Sequence, residues 1–191
     1  MRFINFLLGG LQVAAAASAA SPSILLTSSD QPVPFFDLPN AFRGSDFVPD
    51  PFDVEAIRNV LAHYPLAIDG KNFAALDRVF APNAVANYSA PLGVLKPLSA
   101  IQTALKASLA VVTTQHSYGT QIIDVLSPAS AVSVTYYTAT HFGMGPHEGQ
   151  IVTAYGQYQD VWTRQRDLTW RISHRNLVYM GALIGNLSIF T

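Results

Sequence analysis

"TTQHSYGTQIIDVLSPASAVSVTYYTATHFG", residues 113–143, holds two runs in which polar and apolar side chains alternate, joined by a "SPAS" turn. Alternation at period two, rich in Val, Ile, Thr and Tyr, marks half-buried strands. A Ser/Pro connection this short makes them antiparallel neighbours. Two similar runs follow, 150–164 and 168–180, bounded by "GMGPHEG" and "RQRD". Residues 115–126, 130–142, 150–164 and 168–180 are therefore expected to build one antiparallel sheet in chain order.

Upstream the period changes. From Phe52, apolar residues at Ile57, Val60, Leu61, Tyr64 and Ile68 recur at helical spacing, and Asp53 supplies a cap or first-turn acid. Pro65 lacks a backbone donor and is expected to kink or locally break this helix. "DGKN" at 69–72 stops it, "FAALDRVFA" reads as a short second helix, "AVANYSA" at 84–90 as a strand and "LSAIQTALKASLAVV" as a third helix. "GALIGNLSIF" closes the chain as an apolar tail. Helices first and a long-stranded sheet after them predict an α+β domain over 52–191, with three N-terminal helices packed on one face of a curved, mainly antiparallel sheet.

Two segments precede that domain. Residues 1–20, "MRFINFLLGGLQVAAAASAA", run from an arginine through an apolar stretch to small residues, the layout of a secretory signal peptide. The stretch is too short and too Gly/Ala-rich to span a bilayer. The expected location is outside the cell or in a compartment of the secretory route, without stable membrane insertion. Residues 21–51 carry six prolines and no period, and read as an extended proline-rich leader with Phe35 and Phe36 laid against the domain.

Composition narrows the function classes. The chain has no cysteine, which excludes disulfides, thiolate nucleophiles and cysteine-held metals. Charged residues make up 12% against a typical figure of about 25%. So sparse a charge fits a surface buried in a homo-oligomer (dimer or trimer), covered by glycans at the sequons Asn87-Tyr88-Ser89 and Asn186-Leu187-Ser188, or turned toward an apolar ligand. A net charge of −1 with no basic cluster argues against nucleic acid as a partner. Neither a G-x-S-x-G elbow nor a phosphate or dinucleotide loop is present.

The chemistry then falls to histidines. His63 on the first helix and His147 in a Gly/Pro turn read as surface or structural, and His174, at period two with Trp170 and Ile172, as a packed core histidine. His116 shares a strand face with Tyr118, and His141 shares one with Tyr137. On neighbouring strands the two rings face the same concavity, where they are either hydrogen-bonded sheet residues or movers of protons. Asp69 follows a helix as part of an Asp-Gly turn, yet an anion there meets the negative end of the helix dipole. An imidazolium partner would offset that cost, and an Asp–His pair orients a general base. His116, His141 and Asp69 could also form a 2-His-1-carboxylate metal site, but no H-x-D/E pair supports it.

The runs "AIDGKNFAALDRVFAPNAVANY", "TTQHSYG", "TATHFG", "GQYQDVWTR" and "TWRISHRNL" together resemble the SnoaL-like branch of the nuclear-transport-factor-2-like superfamily, nearest in pattern to fungal scytalone dehydratase. The resemblance covers about residues 52–190 and implies a cone-shaped α+β barrel with no metal and no cofactor. It implies catalytic roles for His141, Asp69, His116 and Tyr88: His141, paired with Asp69, removes a proton α to a carbonyl, Tyr88 holds a polarising water, and His116 positions water or the leaving hydroxyl. Ile68 stands where the family enzyme has a second tyrosine, and Tyr158 where it has an asparagine that grips a substrate hydroxyl. With Tyr118 and Tyr137, these would line a substrate site suited to a larger, more apolar small molecule of polyketide or terpenoid type. The expected function is a cofactor-independent dehydratase, cyclase or isomerase of secondary metabolism. The alternatives are a Diels–Alder type pericyclase using the same pocket and a non-catalytic exported carrier.

Overall fold

The computed structural model describes Ser29, residues 31–42 and residues 47–191. The expected signal peptide, and residues 21–28, 30 and 43–46 of the leader, lie outside the described residues. Three α-helices, α1 (Leu38–Ala41), α2 (Pro51–Asp69) and α3 (Leu98–Ser108), accompany seven strands: β1 (Phe80–Asn87), β2 (Val94–Leu95), β3 (Val112–Ser127), β4 (Ser130–Gly143), β5 (Ile151–Arg164), β6 (Trp170–Tyr179) and β7 (Ile184–Gly185).

Asp50 caps α2 by accepting the Phe52 N–H at 3.0 Å, and Pro51 sits in the first turn where its missing donor costs nothing. Of the apolar stripe, Ile57, Leu61, Tyr64 and Ile68 are almost inaccessible and Ala67 joins them, while Val60 is half-buried. Pro65 does not break the helix. Both ends are pinned elsewhere, Asp53 by the Trp170 indole at 3.0 Å and Asp69 by β3, so one missing backbone bond is tolerated. Residues 73–78 tighten into a 3-10 turn instead of a second α-helix, and α3 stops at Ser108, short of the expected Val112, where β3 begins.

The sheet runs β2-β1-β6-β5-β4-β3, with β7 added against β5. All neighbours are antiparallel except β1 and β6, which are parallel and far apart in sequence, with β2, α3 and β3–β5 between them. Irregularities between Tyr118 and Gln121 in β3, and between Val161 and Trp162 in β5, shift the register and bend long strands around the helices. Cross-strand rungs fix which side chains face the helices: Thr135–Tyr158–Leu177, Tyr137–Gly156–Tyr179, Ala139–Ala154 and His141–Val152.

The opposite face is covered by the leader. Leu38 packs with Val132 and Val134, and Val33, Phe35 and Phe42 join the same small apolar cluster. Gln159 grips the Val33 backbone at both its N–H and its carbonyl, each at 2.8 Å, and the Asn176 amide donates to the Ser29 carbonyl at 2.8 Å. Phe35 lies on the domain as expected; Phe36 does not, being 93% exposed. Among the described residues no helix is long and apolar enough to cross a membrane.

Candidate active site

α2 ends against β3, and three donors of β3 converge on the Asp69 carboxylate. Thr114 Oγ1 donates to Oδ1 at 2.9 Å, the His116 N–H donates to Oδ2 at 2.9 Å, and His116 Nδ1 lies 2.7 Å from Oδ1. Partial burial alone would raise the Asp69 pKa, but the His116 ring, the His116 N–H and Thr114 outweigh it and hold the carboxyl below its ordinary range. An ionised Asp69 accepts from His116 Nδ1–H, so in the neutral imidazole Nε2 is the nitrogen free to accept, on a ring that lines the cavity.

This corrects the pairing of Asp69 with His141. The strand that α2 packs on is β3, and its residues 114 and 116 meet the helix end. His141, on β4, is opposite Val152 of β5, and its Nδ1–H points to the Val152 carbonyl at 3.2 Å. The two histidines do face one concavity, their ring centroids 6.3 Å apart. Burial pushes the His141 pKa below its ordinary value, against the Val152 carbonyl, which favours the proton. His141 is thus a neutral imidazole whose Nε2 can only accept a hydrogen bond.

That burial has a readable consequence. A histidine held neutral binds fewer protons folded than unfolded, so its contribution to stability is complete above the unfolded value of about 6.5 and is lost as pH falls below it. Urea unfolding midpoints should therefore drop from about pH 7.5 to about pH 5.5, and less steeply in His141→Phe. Equal slopes in the two proteins would contradict the assignment.

Two phenols line the cavity beside the dyad, the Tyr64 ring edge-on to His116 with centroids 6.2 Å apart. Tyr88, at the end of β1, has its hydroxyl 3.1 Å from that of Tyr64 on α2. Tyr64 read in the sequence only as part of the apolar stripe; yet it lies one helical turn before Ile68 and so shares its face. A second hydroxyl thus stands one turn from position 68, where the resemblance implied a tyrosine. Ile68 and Tyr158 line the cavity, and Tyr137 stacks on Tyr158 with centroids 4.4 Å apart and planes 15° apart. Gly156 permits this stack, because a methyl group there would come within 2.6 Å of the Tyr137 hydroxyl. Tyr118 is a correction: it lies behind Tyr158, 6.2 Å between centroids, and does not line the cavity.

The cavity measures about 500 Å³. Its remaining wall is mostly apolar, from Leu92, Leu105, Leu109, Ala139, Ala154 and Leu177, with Ser108 and Tyr179 the polar exceptions, and the C-terminal tail covers it with Leu183, Leu187 and Phe190. Phe190 sits edge-on to His141 at 5.1 Å. Asn186 is exposed and caps the last turn by accepting the Ser188 N–H at 3.1 Å, whereas Asn87 is half-buried beside Tyr88. Among the described residues no group of three His, Cys, Asp or Glu side chains is arranged to hold a metal ion.

The fold is shared with several solved structures. A Novosphingobium aromaticivorans protein provisionally named an aromatic ring hydroxylase superposes with a TM-score of 0.66 at 19% identity, over 75% of this chain and 100% of its own. A second protein of that organism, provisionally named a scytalone dehydratase, gives 0.63 at 20%, over 71% and 88%. A type 2 hexachlorocyclohexane dehydrochlorinase gives 0.59 at 14%, over 72% and 90%. No curated protein matches the sequence. The model of the SnoaL-like domain matches residues 52–176, well over half of the chain, and the protein belongs to that family.

Proposed function

We propose that the cavity carries out cofactor-independent acid–base chemistry, a lyase or isomerase reaction on an apolar ketone of polyketide or terpenoid type. The observation that carries this reading is the Asp69–His116 dyad, opening onto a largely apolar cavity beside the Tyr64–Tyr88 hydroxyl pair. The phenols would donate to the substrate carbonyl directly or through a water. His116 Nε2 would take the proton from the adjacent carbon, and Asp69 would stabilise the imidazolium that results. In a dehydration, the enolate electrons then expel a hydroxyl from the β-carbon, and the His116 proton leaves with it as water. His141 Nε2, lacking a proton, would accept a hydrogen bond from that hydroxyl and aim it. In a cyclisation or isomerisation the same enolate attacks another carbon or is reprotonated elsewhere.

A pericyclase needs shape and a few hydrogen bonds but has no use for a dyad. The dehydrochlorinase and scytalone dehydratase names among the structural neighbours fit the lyase reading. The test is solvent exchange: apolar cyclic ketones and β-hydroxy ketones incubated with the protein in deuterated buffer, followed by NMR. Deuterium entering the carbon next to the carbonyl, faster than in buffer alone, is the expected result; a panel that shows none overturns the reading.

A further inference from the structure

One charged pair is sealed beneath this site. Arg175, on β6, is fully buried, and its fork donates to Asp160 of β5 through Nε at 2.7 Å and Nη2 at 2.8 Å. Asp160 is also inaccessible. The guanidinium carbon lies 4.0 Å from the ring centroid of Tyr158, 4.5 Å from that of Tyr64 and 5.2 Å from that of Phe80. Nη1 is buried and meets no acceptor at full hydrogen-bonding geometry, and Tyr64 is the hydroxyl the guanidinium approaches as a donor. A pair kept for stability alone would not leave a charged donor without a well-aligned acceptor, since an apolar pair of equal volume serves as well.

The groups around the guanidinium are nearly all phenols: Tyr64 from α2, Tyr88 from β1, Tyr118 from β3 and Tyr158 from β5. Asp160 is the counter-ion, and the His116–Asp69 dyad and His141 lie toward the cavity. Burial raises the pKa of all four tyrosines; the Arg175 charge opposes it at each, and the more weakly felt Asp160 charge adds to it at Tyr88 and Tyr118. Arg175 does not line the cavity, but Tyr64, Tyr88 and Tyr158 do.

We infer that Arg175 is a positioning residue which makes the Tyr64–Tyr88 hydroxyl pair an oxyanion site, so that the cavity binds the enolate or phenolate form of an apolar ligand in preference to the neutral form. A cation against the ring faces, in a medium of low dielectric, draws charge from the phenols and strengthens their O–H groups as donors. Its worth grows as negative charge develops on the bound oxygen, which is when an eliminating or isomerising enzyme needs it. The inference rests on the acid–base reading for the identity of the cavity, but its test requires no turnover.

Substituted 2-naphthols serve as probes, with the matching naphthyl methyl ethers as shape controls. The bound naphtholate is followed by its absorbance, its proton being released to the dyad or to solvent. The protein should bind a naphthol at least about tenfold more tightly than its ether, and ionise it about one pH unit below its ordinary pKa. The charge-free double variant R175M/D160L leaves His116 and Asp69 in place; it should bring naphthol and ether to within about twofold, while R175K keeps the preference. A double variant that still favours the naphthol, or wild-type protein that does not distinguish it from the ether, overturns the inference. Should the double variant not fold, Tyr64→Phe, which retains the ion pair, reads the same preference: loss supports the relay and no change overturns it. Ketone exchange without naphtholate preference would spare the acid–base reading and remove this one.

Discussion

His116→Ala is expected to lower the ketone exchange rate by about 10³-fold or more, with the fold intact. The ring has no other structural duty of comparable weight, and its removal leaves Asp69 two donors, Thr114 Oγ1 and the backbone N–H of residue 116. Asp69→Asn should cost nearly as much through the tautomer. The backbone N–H demands an oxygen at the Oδ2 position, so the amide nitrogen must occupy the Oδ1 position and donate to His116 Nδ1. The proton is then forced onto Nε2, and the ring cannot accept one from substrate. His141→Phe should cost far less, about 10-fold to 100-fold, because it removes an acceptor that aims the leaving group but does not take the proton. Steady-state exchange rates, with circular dichroism to check folding, decide the order. If His141→Phe abolishes exchange and His116→Ala does not, the dyad is misassigned.

That order is where sequence and structure diverge most, and the reason is geometric. Period two along β3–β6 and the helical stripe from Ile57 to Ile68 follow from local pattern, and both stand in the structure. Which histidine meets Asp69 depends on which strand α2 packs on and on a register broken between Tyr118 and Gln121, neither of which is written locally. Tyr118 keeps the face that alternation gives it, opposite Tyr137, but the Tyr158 ring packs edge-on against it and takes the place on the cavity wall. Tyr64 was hidden because a buried tyrosine in an apolar stripe looks like core; only its distance to Tyr88 shows a hydroxyl in use. Arg175 and Arg171 look alike in "WRISHRNL", yet one is sealed against Asp160 and the other is at the surface, bonded to the Asp77 carbonyl. Strand alternation puts both on the same side, and the break at Val161/Trp162 undoes it.

Asp160→Leu should be the most destabilising single change in the domain, costing about 3–5 kcal/mol, a large part of the stability of a domain this size. It would strand a guanidinium with no exposure and with Nη1 already short of a well-aligned acceptor, leaving Nε and Nη2 without acceptors as well. Burial pushes the Asp160 carboxyl up and the Arg175 fork pulls it back, so removing one member leaves the other to bear its whole desolvation cost. Taking away both charges reverses the sign of the problem. In R175M/D160L the two new side chains would fill a space walled by Tyr64, Phe80 and Tyr158 with apolar atoms, and the double variant should regain most of the loss or exceed wild type. Guanidinium unfolding of the wild type, both single variants and the double variant closes the cycle, and the coupling should be at least about 2 kcal/mol. If the double variant is as stable as wild type but no longer prefers a naphtholate, the ion pair is held for the charge it lends the phenols and not for folding. If it is as unstable as Asp160→Leu, the pair is a structural strut and the poorly aligned Nη1 has no functional meaning.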